Sequence, residues 1–527
     1  MSDKTNSGYK IWEPLLLAIV AVVGMIAGSK MAEKSHGHPN EYSGANAGQI
    51  GEIVRFIEEQ YVDEVDSGEL VKKAIESILG ELDPHSGYFS PKELLDINEK
   101  MAGHFDGIGV QFHVLRDTIV ILYVNPDGPA DLAGIQSHDR IIGADGVSML
   151  NKELDEAEII AQLRGKKGTT IDVEVVRRGV DSIISYSIVR DEIPINSVLA
   201  GYMLDESTGY IKLKRFSSTT YREFMSVLED MVEEKDAKNL VIDLRDNPGG
   251  YLKEAVNILS QLFSEKGKLL VYTEGEHAKR MEYKSTGNPF YHVENLIVLI
   301  DGNSASASEI IAGAIQDHDR GVILGSRSYG KGLVQEQYPL KNGGALRLTV
   351  ARYFTPSGRC IQRPYENHIA VDNGSDEEID STVFTTTYGR VVEADGGIEP
   401  DIEVPARFDW YDEDLYVTYG EMIEYMFYGF ESVYQDYHVT LEAYLQDFTS
   451  SAEMQSDFAN FIAINPGDEN FENFQADWDR VYTMLKAMAA SYHFGYEAWF
   501  KVVNMDDPVV VRALEIVKQD LRTTLKI

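Results

Sequence analysis

One cysteine, Cys360, is present in 527 residues. An internal disulfide is therefore excluded, and so is any CxxC redox or zinc motif. Positive charge is scarce: 48 Lys and Arg face 86 Asp and Glu, a formal net charge of −38. No long Lys/Arg run breaks that field, which repels phosphate backbones and anionic headgroups, so no nucleic-acid partner is expected. The 12 histidines include no HExxH pair. No internal repeat of fixed period is visible. The rest of the composition is ordinary: 43% apolar and 25% charged residues, the usage of a globular protein rather than a disordered or collagen-like one. The length fits about three or four domains with cores of their own.

One apolar run stands out, IWEPLLLAIVAVVGMIAG at 11–28, flanked by Lys4, Lys10, Lys30 and Lys34. It is about 15–18 residues long, at the short edge of a spanning helix. Ala27-Gly28-Ser29 loosely matches the small-residue cleavage site of a signal peptide, and a buried core helix is the third reading. No cysteine follows that would carry a lipid anchor. The expectation is a cytoplasmic N-terminus at 1–10, a transmembrane anchor or signal segment at 11–30 and a polar linker at 31–48, with the remainder exported. His36 and His38 read as solvated linker residues.

Beyond the linker, Ile50, Ile53, Val54, Ile57 and Tyr61 recur at helical spacing, as do Leu70, Ala74, Ile78 and Leu82. The turn Asp83-Pro84-His85-Ser86-Gly87 follows, and the spacing predicts a helical unit over 49–102. Residues 103–192 carry short strands punctuated by Gly and Pro, in the order β-β-helix-β-β. Residues 193–405 alternate strand and helix, the pattern of an α/β core. Residues 406–527 are acidic, aromatic and helical. The fold class is thus multidomain: an α/β core, a β-rich block, and helical units at each end.

Three segments in the α/β region have the residues for chemistry. Ser306, in Gly302-Asn303-Ser304-Ala305-Ser306-Ala307-Ser308, follows an apolar strand and opens a helix. A hydroxyl there faces free N–H groups and the positive dipole end, which stabilise an oxyanion. A plain N-cap serine reads the same way. Lys331, between Gly330 and Gly332, is either a solvated turn residue or a general base kept neutral by burial. Gly325-x-x-x-x-Gly330-Lys331 starts like a phosphate loop. Gly332 then stands where Ser or Thr is needed, and a strand follows instead of a helix. Asp246-Asn247-Pro248-Gly249-Gly250 ends a strand with unhindered donors, or is a simple turn. A Ser-His-Asp arrangement would need His318, but about 18 Å of helix separates it from Ser306, so a lysine base is more economical.

The combination resembles the carboxy-terminal processing, or tail-specific, proteases: serine–lysine peptidases with an embedded PDZ domain. The resemblance rests on LDPHSGYFSPKE (82–93), the 103–192 block, LRDNPGG (244–250), GNSASASEI (302–310), YGKGLVQ (329–335) and YFTPSGR (353–359), and covers roughly residues 50–405. It implies that Ser306 is the nucleophile, Lys331 the general base and Gln335 the residue that orients the lysine. It implies oxyanion donors on Ala307 and on Gly249 or Gly250, and a supporting acid at Asp317. In the PDZ block it implies a nest for a substrate's terminal carboxylate at Gly107, Ile108, Gly109 and Val110, and a switch residue at Arg164. The reaction it implies is acyl-enzyme hydrolysis, without metal or cofactor, of exported or unfolded proteins with accessible apolar C-termini, in the bacterial periplasm, anchored in the inner membrane or released after signal cleavage.

The sequence departs from the family pattern at His138, where a glycine is usual in Ala133-Gly134-Ile135-Gln136-Ser137-His138-Asp139. Cys360 reads as structural and 372–380 as a solvated acidic insertion. Residues 406–527 have no motif; capping the protease, forming a homo-oligomer and binding a partner all stay open. Two rival functions also stay open: a non-catalytic PDZ adaptor, and a serine hydrolase with His318 as its base.

Overall fold

The computed structural model describes residues 44–116, 118–149, 156–364, 383–394, 396–405, 417–430, 440–463, 471–519 and 521–525. The apolar run at 11–28, most of the 31–48 linker and the acidic insertion at 372–380 lie outside these residues. No helix among the described residues is long and apolar enough to cross a membrane.

The first unit contains the helix Gly44–Gln60 and most of the helix Ser67–Gly80. Helical spacing in the sequence is realised as helix, but Ile50, Ile53 and Tyr61 are 44%, 57% and 60% exposed. Periodicity reports the backbone repeat; burial of the stripe needs a second layer as well.

The second unit is built on a six-stranded sheet in the order Val198–Met203, Thr208–Leu213, Asn239–Asp243, Asn295–Ile300, Val322–Gly325, Ile402–Glu403. The first pair is antiparallel and the rest are parallel. Its central strands are apolar throughout because both faces are covered. Leu240, Ile242, Leu296, Val298 and Ile323 face a core shared with Phe224, Ile258, Leu259, Ile311 and Ile315. Those five come from the helices Thr220–Glu229, Leu252–Leu262 and Ala307–Asp317. The alternate residues Val241, Ile297, Leu299, Val322 and Leu324 face a second core completed by Phe500, Val509, Val510, Ala513 and Ile516. These come from the helices Tyr496–Val503 and Pro508–Val517. The last helices of the 406–527 region thus supply the layer on the second face of the α/β sheet.

A five-stranded sheet flanks this core. Ala345–Phe354 pairs along its length with Leu333–Pro339, and on its other edge with Gly87–Phe89 and Leu269–Glu274. In the gap between those two partners, Thr349 N–H donates to Ser86 Oγ (3.1 Å).

A two-stranded ribbon, His104–Gly107 with Asp191–Pro194, closes the neck of the β-rich block. Beyond it lies a sheet ordered Val110–Leu115, Thr118–Val124, Arg140–Ala144, Thr170–Val176, Ile184–Val189, with Val147–Ser148 beside the third strand. Thr170–Val176 alternates exposed and buried residues, the mark of a sheet with one face on a core. Val110–Leu115 is an edge strand. His138, in the position where glycine is usual, takes φ +70°, a left-handed backbone that costs a non-glycine residue about 1 kcal/mol.

The helices Tyr419–Tyr425, Leu441–Asp447, Ala452–Phe461 and Pro508–Val517 start at Thr418, Thr440, Ser451 and Asp507, whose side chains accept from first-turn N–H groups. With the helix Phe471–Phe494, the first three enclose an aromatic core of Tyr425, Tyr444, Phe448, Phe458, Phe474 and Trp478, which also takes in Leu115 and Val120 of the β-rich block.

Candidate active site

The strand Asn295–Ile300 runs into the loop 301–306, and the helix Ala307–Asp317 begins at once. Ser306 sits between them at φ 55°, ψ −110°, a conformation that costs a serine about 1–3 kcal/mol and is held only where its surroundings over-determine it. Three bonds fix it against the neighbouring turn. Ser304 Oγ donates to Leu244 O (2.9 Å). Ala305 N–H (3.0 Å) and Ser308 Oγ (2.9 Å) both donate to Asn247 O. The approach is too close for any side chain on Gly249, where a Cβ would lie 2.6 Å from Ala305 O and 2.8 Å from Ala307 N.

The three oxyanion candidates divide. Gly249 N–H donates to Asn247 Oδ1 (2.9 Å), so this glycine supplies room and not a donor. Gly250 bridges Phe216: Phe216 N–H donates to Gly249 O (3.0 Å) and Tyr251 N–H to Phe216 O (2.8 Å). In such a parallel bridge the Gly250 N–H points away from its neighbour strand. Ala307 is the first residue of its helix, where N–H groups have no intrahelical acceptor.

Lys331 lies on the loop before the strand Leu333–Pro339, and its Nζ donates to Gln335 Oε1 (3.2 Å). Gln335 Nε2 is buried without a partner. Burial, and then the Arg347 guanidinium, pull the Lys331 ammonium below the 10.5 of an ordinary lysine, against the opposite pull of Asp83 and Glu309. Ser306 and Lys331 are brought together through the main chain, and no hydrogen bond joins Oγ to Nζ in this conformation.

The residue that joins them escaped the sequence reading. Glu309 is fully buried. One carboxylate oxygen accepts the N–H of Ser306 (2.8 Å) and of Lys331 (2.9 Å), and the other accepts Gly330 N–H (2.7 Å) and Ser328 Oγ (2.6 Å). Burial holds this carboxyl above the usual range, opposed by those same bonds. Its spacing three residues after Ser306 is that of a capping box, which was the available signal. Tyr353 was missed as well; its hydroxyl donates to Ser306 O (3.1 Å).

The Asp83–Gly87 turn also reaches the site. Asp83 accepts the N–H of His85 (2.8 Å) and Ser86 (2.7 Å) and the Ser86 hydroxyl (2.7 Å). Burial, followed by the Lys331 charge, lowers the His85 imidazole below its ordinary value.

Asp317 is not at the Ser306 end of the helix. At the far end of the Ser306 helix it pairs with the fully buried Arg359 (2.6 Å) and accepts Ser357 N–H (2.9 Å). It holds the 353–359 segment as scaffold. His318, beside it, donates Nε2–H to Leu269 O (2.7 Å) and meets the edge of Phe263, which removes it as a base for Ser306. Burial raises the Cys360 thiol, which disfavours the reactive thiolate. A strand follows Lys331, and no phosphate loop forms.

In the β-rich block, Ile108 O and Gly109 O accept from Ala130 (2.9 Å) and Asn125 (2.8 Å). The N–H groups of Ile108 and Gly109 have no partner among the described residues, and Gly109 has φ +79°. Val110 then opens the edge strand, paired on one side only, and Gly107 closes the neck ribbon. Two adjacent donors beside a sheet edge are an arrangement able to receive a carboxylate and to add a strand. Arg164 pairs with Glu99 (2.6 Å) and Asp96 (3.6 Å) and lies over Phe105. It therefore ties this block to the helix Pro91–Ala102 that leads back to the Asp83–Gly87 turn.

A family model described as peptidase family S41 matches residues 207–372, and a PDZ domain model matches residues 107–187. The carboxy-terminal-processing protease of Bartonella bacilliformis is 36% identical over 317 residues, covering 60% of this chain and 72% of that protein. The carboxy-terminal processing protease CtpB of Bacillus subtilis is 32% identical over 318 residues, covering 60% of this chain and 65% of that protein. Among solved structures, a photosystem II D1 C-terminal processing protease is similar at 26% identity, covering 59% of this chain and 89% of that one, with a TM-score of 0.34. The family-model matches and these relatives define a serine-type peptidase with a PDZ domain ahead of its α/β core. More narrowly, the chain belongs to peptidase family S41, among the carboxy-terminal processing proteases.

Proposed function

We propose that the protein is a serine–lysine endopeptidase that recognises the free, apolar C-terminal tail of exported or unfolded proteins. The observation that carries this reading is the shared Glu309 carboxylate oxygen, which holds the backbones of Ser306 and Lys331 on one point. With Lys331 neutral, Nζ takes the Ser306 proton as Oγ attacks the peptide carbonyl. The oxyanion is received by the N–H groups of Gly250 and Ala307. The Lys331 ammonium then protonates the leaving amine, and water, deprotonated by the same lysine, releases the acyl group. Gln335 holds the lysine in reach. The tail's carboxylate is bound by Ile108 and Gly109, its last residues pair with the edge strand 110–115, and Arg164 reports occupancy to the helix Pro91–Ala102. The 11–28 run anchors the chain in the bacterial inner membrane with the catalytic part in the periplasm.

The test is cleavage of an unfolded substrate with an apolar C-terminus by the full-length protein, next to Ser306→Ala and Lys331→Ala. Cleavage by the parent alone, weakened when the substrate C-terminus is amidated, is the expected outcome. A Lys331→Ala protein as active as the parent would overturn the mechanism. A parent that binds tails and cleaves nothing would favour the adaptor reading, for which the unjoined Ser306 and Lys331 side chains are the supporting observation.

A further inference from the structure

The C-terminal helices make contacts at two functionally distinct places, and both involve residues that the catalytic chemistry leaves unexplained. The first is the turn that follows the strand Asn239–Asp243. Arg245, two residues before Asn247, lies against the buried Asp243, with Nη2–Oδ2 at 2.7 Å, and its Nη1 reaches Asp507 Oδ2 at 2.7 Å. Lys212 Nζ bonds Asp243 (3.0 Å) and Arg245 O (2.6 Å), and Tyr210 OH bonds Asp243 (2.7 Å). Tyr202, packed on Tyr210, donates to Phe500 O (3.2 Å) and accepts from Asn504 Nδ2 (2.8 Å). Arg245, at the start of the turn that carries Gly249 and Gly250, is thus gripped from the catalytic sheet by Asp243 and from the C-terminal helices by Asp507.

The second place is the PDZ domain. His138 meets the rings of Phe427 and Tyr492 edge-on, with centroids at 5.7 Å and 5.8 Å. Arg116 pairs with Glu424 (2.6 Å) and lies over Tyr428 at 4.6 Å. Leu115 and Val120 are buried in the same C-terminal core. All of these PDZ contacts sit on, or next to, the hairpin whose edge strand begins at Val110. The two places are mechanically continuous, since Trp499 and Val503 of the helix Tyr496–Val503 pack into both the PDZ-side core and the sheet-side core.

We infer that the C-terminal helices are a coupling element of the peptidase, with Asp507 a positioning residue for the 246–250 turn and His138 the wedge by which the PDZ domain is held in register with it. The inference rests on the oxyanion and tail-binding roles proposed above. It also accounts for the departure at His138: the residue forgoes the glycine that its backbone prefers, and in exchange touches two aromatic rings that a glycine cannot reach.

Asp507 separates positioning from simple stability. Its Oδ1 caps the helix Pro508–Val517 through Val509 N–H (2.8 Å), while Oδ2 makes the Arg245 pair. Asp507→Ser and Asp507→Asn keep a good cap and remove the charge. His138→Gly places at that position the residue its backbone favours, so folding is not at risk. Two substrates are compared in the full-length protein, one peptide with a free apolar C-terminus and the same peptide amidated.

Both Asp507 variants are expected to lose roughly tenfold in kcat on both substrates with KM unchanged, less than the ~100-fold for deleting a donor outright, and to keep the parent's thermal midpoint. His138→Gly is expected to keep kcat on the amidated peptide and to raise KM for the free-tailed one by about threefold or more, as a loosely held module delivers its ligand at lower effective concentration. An active parent with kcat unchanged in the Asp507 variants, or with KM unchanged in His138→Gly, overturns the coupling alone. A parent inert on both peptides overturns the proposed function and the coupling with it.

Discussion

At Lys331, burial and the Arg347 charge favour the neutral amine, while Asp83 and Glu309 favour the ammonium. In the proposed mechanism Lys331 is the general base and works only when neutral, so the acid limb of kcat/KM is expected to follow this group and to lie below the 10.5 of an ordinary lysine. Arg347→Gln removes a cation, raises the lysine and moves that limb to higher pH. Asp83→Asn removes an anion, lowers the lysine and moves the limb to lower pH. A pH–rate series on the two variants checks both directions, and a shift of the same sign in both would refute the assignment. Glu309 poses a different problem, because it accepts four hydrogen bonds in full burial. In Glu309→Gln an amide NH2 must face N–H donors. A loss of about 3 kcal/mol in stability and of roughly 100-fold in kcat through displacement of the two loops is expected, measurable by urea melts and by turnover of the folded fraction.

On the scale of elements, the Ser306 helix has two ends with separate tasks. Its N-terminus carries the hydroxyl of Ser306, the proposed nucleophile, together with the N–H of Ala307 and the Glu309 staple. Its C-terminus carries Asp317, paired with Arg359 in a site where neither side chain is more than 1% exposed. Asp317→Asn leaves the guanidinium without its counter-charge, although Gln316 Oε1 and Glu393 O still accept from it. A stability loss of about 3–5 kcal/mol is expected, with activity per folded molecule near the parent's. A lower denaturant midpoint with unchanged kcat identifies scaffold, whereas a kcat loss without destabilisation would make Asp317 the supporting acid of the site that the resemblance implied. Several elements were legible from sequence for local reasons. The small-residue loop at 302–308 and the glycine pair at 249–250 stand out because close backbone approach tolerates little else. The Glu309 reach to 328–331 was not legible, since a residue in a helix's first turn reads as a cap until the second loop is placed beside it.

Taken whole, the molecule has a catalytic sheet sealed on one face by the helices between its strands and on the other by the helices at its C-terminal end. Ending the chain after Gly495 would uncover Val241, Ile297, Leu299, Val322 and Leu324, each now at most 1% exposed. At about 1.5–3 kcal/mol per side chain, the loss is on the order of 10 kcal/mol, comparable with the entire stability of a typical protein, about 5–15 kcal/mol. The truncated protein is expected to be insoluble or unfolded, judged by soluble yield and circular dichroism. A soluble, active protein ending there would show that these helices are an appendage. Point variants are therefore the proper probes of the C-terminal region.

The sequence by itself determined the α/β and β-rich classes, the small-residue loop at 302–308 and the glycine turn at 249–250. Strand and helix periods, and the small residues that a crowded turn demands, are written within a few neighbouring positions. Tertiary structure alone decided which layer covers the second face of the sheet, that Asp317 pairs with the buried Arg359, and that one buried carboxylate joins Ser306 to Lys331. It also decided that His138 faces Phe427 and Tyr492 and that Arg245 meets Asp507. These outcomes depend on contacts between residues far apart in the chain, and an apolar or charged side chain records locally that it needs a partner without recording which one.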